Sequence, residues 1–139
     1  MIRFTVLGEP KGKARPRFSR YGVYTAADTA NYERLVASEC YAAMSAEDHI
    51  HAQDPEKRYK LTVTAFFGIP KSFTKAKTIM AKNGQILPNK KPDGDNILKI
   101  ICDALNDVAW VDDKQVVDMR VIKKYSADGG RVDVEIEAI

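Results

Sequence analysis

Cysteine, histidine and tryptophan are scarce in this chain, at two, two and one among 139 residues. Cys40 and Cys102 lie far apart and give neither a disulfide framework nor a zinc spacing, so both are expected as buried, inert thiols of a cytoplasmic protein. His49 and His51 fall together in a polar connector without spaced partners, which points to an ordinary exposed loop. No apolar run approaches the roughly 18 residues a membrane helix needs, so no membrane partner is expected. The opening Met1-Ile2-Arg3-Phe4-Thr5-Val6 alternates like a strand and lacks the zones of a signal peptide, so no export is expected.

The composition is that of an ordinary globular protein, 45% apolar and 29% charged. At this length one domain spanning residues 1–139 is the expectation, burying roughly two-thirds of the unfolded chain's surface. The net charge of +3 conceals a segregation. Between Asp93 and Asp118 seven acids face two bases, a local charge of −5, which leaves 20 bases and 12 acids elsewhere, or +8. An acidic spot within a basic body suits a polyanion bridged by cations.

Hydrophobic periodicity and turn residues predict the order β, α, β, α, α, β, β, hence one α+β domain with a mixed or antiparallel sheet and flanking helices. Residues 2 to 8 read as the first strand. Lys11 to Arg20 follow as a basic loop or hairpin, with Lys11, Lys13, Arg15, Arg17 and Arg20 interleaved with Phe18, Tyr21 and Tyr24. A helix is predicted over 26–44, capped by Thr25 and Asp28, then a polar connector over 45–57 and a strand over 59–69. Lys71 to Lys82 form a short basic helix. Gln115 to Tyr125 and Arg131 to Ala138 are predicted to pair as a hairpin around Asp128-Gly129-Gly130.

The chemistry lies in the acidic stretch. Placing Gly94 to Asn106 on a helix sends Ile97, Ile100, Ile101, Ala104 and Leu105 to one side and Asp95, Lys99, Asp103 and Asn106 to the other. Asp93 precedes the first turn, whose free N–H groups favour an ionised carboxylate. Val108 to Val111 is expected to return the chain as a strand, bringing Asp112 and Asp113 beside the helix start. Crowded carboxylates repel one another unless a hard cation sits among them, and oxygen-only ligands suit Mg²⁺ or Mn²⁺. Such a metal activates water and neutralises charge on a scissile phosphate, while Lys99 is placed to hold that phosphate. A bland reading stands beside this one: acids at a helix start commonly cap, and Asp–Lys pairs one turn apart are common on surfaces. An EF-hand is excluded by Ile97 and Leu98, which occupy places where that loop needs a ligand and a glycine.

Three segments carry a resemblance. Lys91-Pro92-Asp93-Gly94-Asp95-Asn96-Ile97-Leu98-Lys99, Asp103-Ala104-Leu105 and Val111-Asp112-Asp113-Lys114-Gln115-Val116-Val117 resemble the signature of the RusA-type Holliday junction resolvases. The resemblance implies a RusA-like fold and a homodimeric, Mg²⁺-dependent endonuclease that resolves four-way junctions by symmetric paired nicks in recombination and repair. It also implies that Asp93, Asp95 and Asp113 are catalytic metal ligands, that Lys99 is catalytic, and that Asp112 is their neighbour at the metal. Gly94 departs from the apolar residue frequent between the two aspartates. The resemblance extends to phage and prophage proteins that share the motif, so it leaves other branched structures open as substrates beside the four-way junction.

The basic loop, with Lys90 and Lys91, is expected to bind the phosphates of branched DNA, and its aromatics to stack on unpaired bases. Lys71, Lys75 and Lys77 are further possible contacts. Trp110 is expected as a core anchor. The competing reading is a non-catalytic, branched-DNA-binding accessory protein of phage or prophage type, whose aspartates only cap and pair.

Overall fold

Strands with one buried face alternate inward and outward side chains, and three such runs build the centre of this molecule. The computed structural model describes residues 1–14, 17–19, 22–24 and 27–139. Strand β1 (Ile2–Leu7) buries Ile2, Phe4 and Val6 and exposes the residues between them. β2 (Arg17–Ser19) and β3 (Gly22–Tyr24) form the hairpin expected of the basic loop. Helix α1 (Ala27–Ala43) follows. β4 (Tyr59–Gly68) sends Tyr59, Leu61, Val63, Ala65 and Phe67 inward. Helices α3 (Lys75–Lys82) and α4 (Gly94–Leu105) lead to β5 (Val116–Ser126) and β6 (Arg131–Ala138).

The polar connector is not a loop throughout, because Ala46–His51 form a further short helix, α2. Ser45 caps it by accepting from the Asp48 N–H, while the Asp48 carboxylate accepts from the Ser45 N–H. Those two bonds fix a helix too short for its apolar period to register. His49 and His51 therefore lie on a helix, where His51 stands 3.6 Å from Glu47.

The four long strands form one mixed sheet in the order β1-β6-β4-β5, with β1–β6 and β6–β4 antiparallel and β4–β5 parallel. The expected α+β class holds, whereas the expected β5–β6 hairpin does not. β4 lies between them, so residues 127–130 must span two strand spacings, roughly 10 Å, instead of making a tight turn. Burying the apolar side of β4 between two neighbours outweighs the local turn signal. The crossing chain passes close to the end of β1. A Cβ on Gly130 would stand 2.6 Å from Glu9 Cα, and the Gly130 carbonyl accepts from the Gly8 N–H at 3.1 Å.

Helices α1 and α4 pack against each other, α1 also against β1 and α4 against β5. One continuous apolar core joins them to the sheet. Cys40 and Cys102 are buried and free within it, and burial pushes both thiols up to about 12. Trp110 is fully buried, with its indole N–H donating to Asn106 Oδ1 at 3.0 Å, which makes it the expected core anchor.

Candidate active site

The two-sided character of α4 is what the sequence periodicity predicts. Ile97, Ile100, Ile101, Ala104 and Leu105 are buried, whereas Asp95 and Lys99 on the opposite side are exposed. The helix starts after a cis Lys91–Pro92 bond, with Asp93 at the N-cap position. The Asp93 side chain makes no capping hydrogen bond and is exposed. The structural role that would explain this aspartate without function is therefore not performed. Its charge instead stands over the positive end of the helix.

A groove opens directly in front of this helix start. Lys11, Lys13, Lys91, Asp93 and Asn96 all line it, so three of the expected phosphate contacts and one expected metal ligand share one surface. Its far wall is the segment leading into the β2–β3 hairpin, which is docked tightly onto α4. The Lys13 N–H donates to the Asn96 carbonyl at 3.0 Å. Gly12 fits because it has no side chain: a Cβ there would stand 2.9 Å from Pro92 Cβ and 3.0 Å from Asn96 Cβ.

The polar row along α4 is only partly as expected. Asn106 has left the helix and turned its amide to Trp110. Asp103 joins a network of charges: its Oδ2 stands 3.2 Å from Lys13 Nζ and 3.8 Å from Lys99 Nζ, and Lys13 Nζ also meets Glu33 Oε1 at 2.5 Å. Periodicity marked Asp103 as outward-facing but could not identify partners from α1 and the N-terminal loop. Lys99 is the freest member, with 61% of its side chain exposed against 16% for Lys13.

The chain between α4 and β5 makes no strand. Asp107 takes a positive φ of 64°, and a single bridge joins Asn106 to Trp110. Seating Trp110 in the core turns the chain sharply, and the turn that carries Asp113 packs against α4, with Asp113 in electrostatic reach of Asp103 and Lys99. Asp112 and Gln115 build the 3₁₀ turn Asp113–Gln115. Gln115 Oε1 accepts from the N–H groups of Val111 and Asp112 at 3.0 and 3.2 Å, and its Nε2 donates to the carbonyls of Asp54 and Lys57 at 3.0 and 2.8 Å. A buried side chain with all these bonds made fixes the turn rigidly. Its signal in the sequence is weak, since nothing local distinguishes a surface Gln from this one.

Burial first, and then the hydrogen-bonded Asp112 and the Asp103 carboxylate, hold Asp113 above its ordinary range, with Lys99 opposing. Asp112 is held below its own, chiefly by the Lys114 N–H and then by its bond to Asp113. Burial and the neighbouring acids thus disfavour the bare Asp113 carboxylate, the form that an adjacent cation would favour. The donor set is oxygen-only and suits a hard divalent ion in kind. Among the described residues, however, no three His, Cys, Asp or Glu stand close enough to hold a metal ion. Asp93 and Asp95 belong to one end of α4, and Asp112 and Asp113 to its flank.

The remaining basic residues divide. Lys90 and Lys91 are exposed, and Lys90 stands 5.6 Å from the Phe67 ring centre, beside Lys123 at 5.2 Å. Lys123 escaped notice in the sequence because it reads simply as part of strand β5. Lys11 pairs with Asp28 at 2.7 Å on the surface. Arg17 lies on β2, and Arg15 and Arg20 lie outside the described residues. No helix among the described residues is long and apolar enough to cross a membrane.

Similarity to known proteins extends over nearly the whole chain. The chain is similar to an uncharacterized protein, YqaN, of Bacillus subtilis (strain 168), with 37% identity over 141 residues, covering 99% of this chain and 96% of the relative. The family described as Endodeoxyribonuclease RusA matches residues 8–137, which include every part of the groove, α4 and the Asp112-Asp113 turn. The chain therefore belongs to the RusA endodeoxyribonuclease family, a family of DNA-cutting enzymes.

Proposed function

We propose that this protein is a divalent-metal-dependent endonuclease that resolves four-way DNA junctions by paired nicks, acting as a homodimer. The observation that carries the reading is Asp93: an exposed carboxylate at the N-cap of α4 that does no capping, facing a groove shared with Lys11 and Lys91. As ligands of Mg²⁺, or Mn²⁺ in its place, we assign Asp93, Asp95 and Asp113, with Asp112 supporting Asp113. The described residues do not gather them without the ion, as expected of bare carboxylates that repel one another, and the ion would draw them together. Bound there, the ion would supply an activated water and neutralise charge on the scissile phosphate.

The chain's own residues account for the rest. Lys99, exposed one helical turn beyond Asp95, donates to a phosphate oxygen and stabilises the charge that grows on it. The exposed amines of Lys90 and Lys91 attract the backbone on the same side, with Lys11 across the groove. To these we add Arg15, Arg17 and Arg20 of the same basic run in the sequence as DNA contacts. A two-fold substrate with two equivalent strands to cut is matched by a two-fold enzyme, which is why a dimer is proposed.

The test compares a synthetic four-way junction with flap, fork and linear duplex substrates, with Mg²⁺ and with chelator. Paired nicks confined to the junction and abolished by chelator are expected. Binding without cutting under either metal would leave the non-catalytic accessory reading in place. Equal cutting of flaps and forks would remove junction selectivity. Sedimentation of the protein on junction DNA is expected to give two copies per junction, and a single copy would contradict the dimer.

A further inference from the structure

Among the bases of the N-terminal segment, Lys13 is placed unlike a DNA contact. Only 16% of its side chain is exposed, and its amine lies between Glu33 on α1, at 2.5 Å, and Asp103 on α4, at 3.2 Å. To reach a phosphate it would have to leave both carboxylates, each of which would then be stranded in a partly buried place. Its backbone is fixed as well, through the N–H bond to Asn96 and the close seat of Gly12 on Pro92. Loop, α1 and α4 are thus tied at one amine.

The oxygen that Lys13 holds is also the one nearest Lys99. Both amines approach Asp103 Oδ2, Lys13 at 3.2 Å and Lys99 at 3.8 Å. Lys13 is confined and the nearer of the two, whereas Lys99 is exposed and the farther. While Lys13 neutralises Asp103, Lys99 is only loosely held and remains free to turn to a phosphate. Without Lys13, the Asp103 carboxylate would draw Lys99 in, since two opposite charges at contact in a partly desolvated place attract strongly. We propose that Lys13 is a positioning residue, not a phosphate contact: it occupies Asp103 and so keeps Lys99 available to substrate. The inference rests on the role given above to Lys99.

The experiment measures two quantities for wild type, Lys13→Met, the double variant Lys13→Met with Asp103→Asn, and Glu33→Gln. One is single-turnover cutting of a four-way junction with Mg²⁺ and saturating enzyme; the other is junction affinity across a salt series. Lys13→Met is expected to cut about tenfold slower or worse, as removing a supporting partner commonly does, with a salt slope lower by about one because the captured Lys99 leaves its phosphate. The double variant, with Lys99 released, is expected to regain the wild-type slope. Adding Asp103→Asn is expected to restore most of the rate, because the carboxylate that captures Lys99 is gone. Glu33→Gln, which leaves Asp103 occupied, is expected to cut and bind like wild type. A salt slope still lower by about one in the double variant, where no carboxylate remains to capture Lys99, would identify Lys13 as a lost phosphate contact and overturn the assignment. So would a double variant as slow as the single one. Tighter binding by Glu33→Gln would show Lys13 released onto DNA, and decides the question even if Lys13→Met fails to fold. A wild type that binds and never cuts would instead defeat the proposed function, and the salt slopes would still show whether Lys13 touches phosphate.

Discussion

Gln115 and Asp113 are neighbours in one turn with opposite consequences. Gln115 is buried and satisfies four backbone groups, two N–H and two C=O, from two separate segments. Gln115→Leu keeps the bulk and removes all four bonds, leaving only the Asp54 carbonyl with another partner, the Lys57 N–H at 3.3 Å, so chemical denaturation is expected to show a loss of about 2–4 kcal/mol, given the cost of unpaired buried polar groups. Cutting should slow with it, because the turn that presents Asp113 loses its anchor. Asp113 works the other way. Burial and the carboxylates of Asp112 and Asp103 raise its pKa, so the folded state disfavours its ionised form. Stability from this group is fully present below the unfolded value of 3.8 and is lost as pH rises through the raised folded value. Asp113→Asn, measured in chelator, is therefore expected to be more stable than wild type at neutral pH, with the difference vanishing below pH 3.8, and to cut no junction. A variant less stable than wild type at neutral pH would contradict the stated environment.

Among the elements, α4 was the most legible from sequence. Its apolar residues recur at 3.6-residue spacing over three turns, and they are the residues that are buried. β1 and β4 were legible for the same reason, as period-two runs ending in glycine or proline. Helix α2 was not, because six residues are too few for periodicity and its stability comes from one capping exchange between Ser45 and Asp48. The β5–β6 pairing was misread because Asp128-Gly129-Gly130 is a strong local turn signal, while the insertion of β4 between the strands is decided by long-range burial. Close docking of the basic segment onto α4 was equally invisible, since Gly12 looks like any loop glycine. Gly12→Ala tests that contact. Its Cβ would meet the rigid Pro92 ring at 2.9 Å, so a destabilisation of about 1–3 kcal/mol by overpacking is expected. Cutting should fall as well, because the groove wall moves away from Asp93. An unchanged melting temperature would show that the segment is not seated as described.

At the scale of the whole molecule, the charge segregation legible in the sequence becomes a spatial one. The acidic residues are spread along one side of α4 and the turn after it, while Lys11 and Lys91 share the groove at its start. Composition alone could indicate a metal site facing a polyanion. The sheet order, which sets α4 against α1 and β5, determines which acids lie together: Asp103 and Asp113 with Lys99, and Asp93 and Asp95 at the helix start. The central claim is that these carboxylates cut DNA in the presence of a divalent ion. Its most direct test incubates a synthetic four-way junction and Mg²⁺ with wild type, Asp93→Asn and Asp95→Asn at equal junction occupancy. Symmetric paired nicks by wild type, and intact junctions bound by both variants, are the expected result. Either variant cutting as fast as wild type, or a wild type that binds the junction and never cuts it, would contradict the account.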